Sequence, residues 1–231
     1  MKLRLLALAA TTATALAAAS SASAVTYTIN AVAGVNITDP LITDFNSDQA
    51  GNITDLATGY QFDQGGNGLA FTRDGGLGLL PNVSAPPPAD NNVSGAYYET
   101  VLGNGGSATL TSDVGMNDFQ FYMGSPDDFN GMSFTFVDTS NQAVTLNGQA
   151  IWGGNPQGNG DQSEGFTVSY HFDTAVKSIT FTSGNQNAFE FDKLAGGVPE
   201  PASWALMMLG FGGAGSILRS KRRRQAVAAT A

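Results

Sequence analysis

Oxygen-bearing side chains make the most suggestive spacing in this chain. Asp44, Asn46, Asp48, Asn52 and Asp55 fall at the first, third, fifth, ninth and twelfth places of one stretch, the spacing with which a calcium loop gathers oxygens around a hard cation. Two departures count against it. Gln49 stands at the sixth place, where the sharp turn calls for glycine, and Asp55 is one methylene shorter than the closing glutamate of such a loop. The expectation is therefore a solvated turn and no cofactor, with Ca²⁺ as the one metal these residue types could take. Asp127, Asp128 and Asn130, just after Pro126, form a second acidic turn of the same kind.

Nucleophilic and acid–base constellations are sparse. His171 is the only imidazole, and Asp173, two residues on, shares its side of an alternating strand. No G-x-S-x-G turn accompanies the pair, so triad chemistry is not expected. A glycosidase needs two opposed carboxyls, one kept protonated, and Glu99, Glu164 and Glu190 are the candidates for it. Trp152 precedes Gly153-Gly154-Asn155-Pro156. That turn could present the indole to a sugar ring, although a core tryptophan at a strand end is the plainer expectation.

The elements that must position these residues read as strands. Phe166, Val168, Tyr170 and Phe172 alternate with Thr167, Ser169, His171 and Asp173, giving one buried and one wet face at period two. Similar runs cover 25–32, 68–73, 96–102, 107–114, 118–123, 132–138, 143–151, 175–182 and 188–194. No sustained helical period occurs between 25 and 198. Short strands with frequent turn residues predict an all-β fold, a single antiparallel β-sandwich or jelly roll over 25–196. Leu79–Asn92, with Pro81, Pro86, Pro87 and Pro88, reads as a long surface loop.

Composition narrows the chemistry further. The 231 residues include no cysteine, which excludes disulfides, thiolate nucleophiles and Cys-ligated metals. Between 25 and 198 only Arg73, Lys177 and Lys193 oppose eighteen carboxylates. So acidic a body repels phosphate backbones, making nucleic acid an improbable partner and divalent cations or neutral sugars better ones.

The two ends read as addresses. Lys2 and Arg4 precede an Ala/Leu-rich run that closes on Ala22-Ser23-Ala24, the form of a secretory signal peptide over 1–24. The Sec translocon and signal peptidase are the expected partners, leaving Val25 first. At the other end Pro199-Glu200-Pro201 and Trp204-Ala205 lead into an uncharged stretch from Ala202 to Leu218, then Arg219 and the Lys221–Arg224 cluster. Seventeen helical residues rise roughly 25 Å, the lower limit for crossing a bilayer core. A basic far side would keep the C-terminus cytoplasmic. Two prolines keep Pro199-Glu200-Pro201 out of a helix interior and accessible to a protease.

This tail, 197–231, resembles the PEP-CTERM sorting signal of Gram-negative bacteria in its P-E-P-x-x-W-A variant, matching at Pro199, Glu200, Pro201, Trp204 and Ala205. The resemblance implies recognition by an exosortase after transient membrane insertion, and delivery to the cell surface or exopolysaccharide matrix. The expected protein is an exported, exosortase-processed surface or matrix protein without intrinsic catalysis. A carbohydrate-binding module using Trp152 and a secreted glycan-acting hydrolase are the alternatives.

Overall fold

The computed structural model describes residues 25–47, 52–136, 143–154 and 158–197, together with Phe211. Ten strands follow in chain order: β1 Tyr27–Ala33, β2 Leu41–Thr43, β3 Tyr60–Asp63, β4 Ala70–Asp74, β5 Tyr97–Val101, β6 Ser107–Gly124, β7 Asn130–Phe136, β8 Ala143–Asn147, β9 Gly165–Ser183 and β10 Phe189–Gly197. Two short 3₁₀ turns, Gly75–Leu77 and Gly148–Trp152, are the remaining named elements. The fold is all-β, and every strand pairing is antiparallel.

Where the sequence shows two strands on either side of residue 115, and two on either side of residue 174, the structure has one long strand each, β6 and β9. The inward positions explain both readings. In β6, even-numbered Ala108 and Leu110 are buried, then odd-numbered Phe119, Phe121 and Met123. In β9, Val168, Tyr170 and Phe172 give way to Ile179 and Phe181. A change of parity within a strand requires a bulge, and the β6–β9 register shifts between Thr111 and Asp118.

At that bulge the β6–β9 pair folds back on itself. Ala108 and Phe121 would stand roughly 43 Å apart on a straight strand. Yet Phe181, the partner of Ala108, has its ring 5.7 Å from that of Phe121. One arm of the sheet runs β3, β6, β9, β7, β8; the other runs β1, β9, β6, β10, with β2 and the β5–β4 pair beyond β10. The ten strands thus form one open, continuous sheet. Its arms enclose an aromatic core in which Phe181 stacks on Phe191 at 4.1 Å and Phe134 lies 5.0 Å from both Tyr170 and Phe172.

The proline-rich segment departs from the expected surface loop. Ser84, Ala85, Pro86 and Pro87 are buried, packed across β5 and β10. Prolines lack the N–H that makes burying a loop costly, and the polar atoms beside them are paired. Ser84 Oγ bonds the Tyr98 hydroxyl at 3.0 Å and Thr100 Oγ1 at 2.8 Å, while the Ala85 N–H donates to Glu190 Oε1 at 2.8 Å. Gly124 permits the approach: a Cβ there would meet Pro87 Cα at 2.7 Å.

Candidate functional site

The packed loop makes one wall of a cleft of about 440 Å³, closed by the Ser125–Phe129 turn and by Gln186–Glu190. Its polar lining includes Ser84, Asp127, Gln162, Asn187 and Glu190. Burial pushes Glu190 up to about 8, with the nearby Asp127 charge adding to the effect. Burial and then Asp128 raise Asp127 to about 6. The cleft therefore brings together two carboxyls that burial holds above their ordinary values, among amides and hydroxyls of the kind that can hydrogen-bond a polar ligand. Glu190 itself is only 2% exposed and already accepts the Ala85 amide.

The sequence names both carboxyls without joining them. Glu190 is assigned to a strand and Asp127 to an acidic turn, and a loop taken as exposed gives no reason for a wall between them. That turn also divides its members, since Asp127 lines the cleft, Asp128 is exposed and Asn130 is buried. Glu99 lies away from the cleft in the core. Its carboxyl accepts from Gln64 at 2.8 Å and Thr72 at 3.2 Å, and burial pushes it up to about 8.

Several expected sites have other structural partners. Trp152 is 2% exposed within the core cluster, so its ring offers no stacking face and the platform expectation is corrected to a core tryptophan. His171 Nδ1 pairs across the sheet with Asp118 Oδ1 at 2.6 Å, because Asp118 is its register partner in β6. Asp173, expected beside His171, instead accepts from the Thr26 amide at 3.0 Å and hydroxyl at 2.7 Å.

Of the calcium-spaced residues, Asp48 lies outside the described residues. Asp44 and Asp55 do meet. Asp55 accepts from the Thr43 hydroxyl at 2.7 Å and the Asp44 amide at 2.9 Å, and Asn46 donates to Asp44. The bond shared with Asp55, then burial, pushes Asp44 up to about 6. Burial works to raise Asp55, but its bonds to Asp44 and Thr43 outweigh this and hold it below the ordinary value. Among the described residues no three His, Asp or Glu side chains gather. A cation bound only by the folded state adds about 2.7 kcal/mol at a hundred times Kd. With Asp55's oxygens already engaged, we expect the melting temperature to be indifferent to millimolar calcium, and a clear rise would restore the metal site.

Ala22, Ala24, Pro199, Glu200, Pro201, Trp204 and Ala205 lie outside the described residues, as does the 202–218 stretch apart from Phe211. Among the described residues no helix is long and apolar enough to cross a membrane.

Residues 197–224 match the model of the PEP-CTERM protein-sorting motif. No curated protein matches the chain. Among solved structures, the enzymatically active domain of bacteriophage CBA120 tailspike protein 4 is similar at 15% identity and a TM-score of 0.36, over 69% of this chain. The chain spans 21% of that tailspike domain. TmCBM61, solved in complex with β-1,4-galactotriose, is similar at 10% identity and a TM-score of 0.25, over 66% of this chain and 99% of its own. At these scores neither likeness bears on fold or function.

Proposed function

We propose that this is an exported protein whose β domain is delivered, without intrinsic catalysis, to the cell surface or exopolysaccharide matrix after an exosortase processes its tail. The match at 197–224 carries the reading, and the order of motif, uncharged stretch and basic cluster supports it. The passenger is best described as a sandwich-like body, two arms of one sheet closed over aromatic rings, with Val25 as its expected first residue. Glu190, buried and already accepting the Ala85 amide, is poorly placed to reach a substrate, which supports a role without turnover. In an exosortase-deletion strain of the natural host, the full-length chain should remain in the membrane fraction, whereas the parent strain releases a shorter form. Equal release from both strains would defeat the proposal.

A second reading rests on the cleft, whose lining brings together Asp127 and Glu190, two carboxyls raised by burial, where glycan hydrolysis needs a pair of carboxyls. Hydrolysis of the host exopolysaccharide by the purified chain, abolished by Asp127→Asn, would favour it over a passive passenger. Absence of any hydrolysis would remove it.

A further inference from the structure

Lys193 occupies an unusual backbone position in β10. Its φ is 52°, a left-handed conformation that long side chains rarely adopt, at the point where the β10 pairing with β6 shifts register. The residue leaves the strand alternation, and its ammonium meets two carboxyls. Lys193 Nζ lies 3.3 Å from Asp90 Oδ1 and hydrogen-bonds Asp192 Oδ2. Asp90 and Asp192 are 1% and 0% exposed. The Lys193 side chain is 28% exposed. The remaining Asp90 oxygen, Oδ2, is buried without a hydrogen-bond partner.

An amine, a carboxyl it can attack and a second carboxyl within proton reach of the amine are the parts needed to form an amide. Fixed geometry replaces the encounter between reactants, and burial keeps out the water that would favour the reverse reaction. We propose that Lys193 and Asp90 are joined by an intramolecular isopeptide bond, formed with Asp192 as proton relay. Asp192 passes its proton to an Asp90 oxygen and takes one from the Lys193 ammonium, and the freed Nζ pair attacks Cγ of the now neutral Asp90 carboxyl. Of the two ammonium protons left, one stays on the new amide nitrogen and one joins that Asp90 oxygen, which leaves with both protons as water. Asp192 ends protonated, as it began. Nothing is oxidised or reduced.

The electrostatics favour the relay. Burial, reinforced by Asp90, raises Asp192 well above the ordinary carboxyl range, so it can hold a proton. Burial likewise raises Asp90. Burial opposes the Lys193 charge, but Asp192 and Asp90 outweigh it, so the amine becomes nucleophilic only by passing its proton on. The bond would join positions 103 residues apart and fasten the proline-rich wall of the cleft to β10. That is a covalent tie in a chain without cysteine.

Mass spectrometry of the exported protein purified from its host decides the matter. Between its processed ends the wild-type chain should be lighter than its sequence by one water. Trypsin, which does not cut after an acylated lysine, should release no peptide ending at Lys193 and should leave a branched peptide joining the Asp90 and Lys193 segments. Lys193→Arg and Asp192→Asn should both have the full mass. A wild-type chain of unaltered mass that releases the Lys193 peptide would overturn the proposal, whatever the variants do. So would a water loss that persists in either variant or that maps between Asp192 and Lys193.

Discussion

Raising the pH from about 5 to about 9 should lower the melting temperature of the β domain, and Glu99→Gln with Glu190→Gln should make that fall clearly shallower. Both carboxyls sit at about 8 against an ordinary value of 4.5, chiefly because burial disfavours their charge. A raised folded value means the native state holds a proton that the unfolded chain has released. The stabilisation is complete below the unfolded value and is lost as pH rises through the folded one. Each group then costs roughly 1.4 kcal/mol per pH unit across the window, so the two together remove several kcal/mol from a domain of ordinary marginal stability. Asp44 and Asp127, both at about 6, act in the same direction at lower pH. Glutamine preserves an acceptor for the Ala85 amide at 190 and for Gln64 at 99 while removing the titration. Thermal melts across this range check the slope, and a melting temperature that rises with pH would contradict the burial of these groups.

Much of the strand content is legible from period-two alternation, because side chains on a pleated strand face opposite sides and the core selects one of them. Val168, Tyr170 and Phe172 announce their strand without help. The joining of strand runs into β6 and β9 is not legible. The parity switch between Leu110 and Phe119 reads equally as a turn or as a bulge, and only pairing across the sheet separates the two. Leu41–Thr43 and Tyr60–Asp63 are too short to show a period, and they are strands because β10 and β6 offer them edges.

The cleft is hidden for a related reason. Its wall is a proline-rich segment whose burial depends on Ser84 and Ala85 finding partners in β5 and β10, contacts that no local pattern encodes. His171 shows the limit of neighbour reasoning: the residue two along the strand is further from its function than the residue opposite on β6. Trp152 could be read from sequence in two ways, and burial decides for the core. The tail motif is legible for the opposite reason, since it is a run of residue types and not a set of contacts.

Replacing Pro199, Glu200 and Pro201 with alanine should therefore stop processing almost completely while leaving membrane insertion intact. The uncharged stretch, Trp204 and the basic cluster are untouched, so the forces that insert and orient the tail remain. What is lost is the pair of prolines, which fix φ and carry no backbone N–H, and the single acidic side chain between them. If the tail were only a greasy anchor shed by unrelated proteases, these residues would matter little. The direct measurement is an immunoblot of membrane and extracellular fractions from the natural host, comparing wild type with the triple variant. The account predicts a shortened wild-type protein outside the cell and a full-length variant held in the membrane. Equal release of a shortened form from both would contradict it.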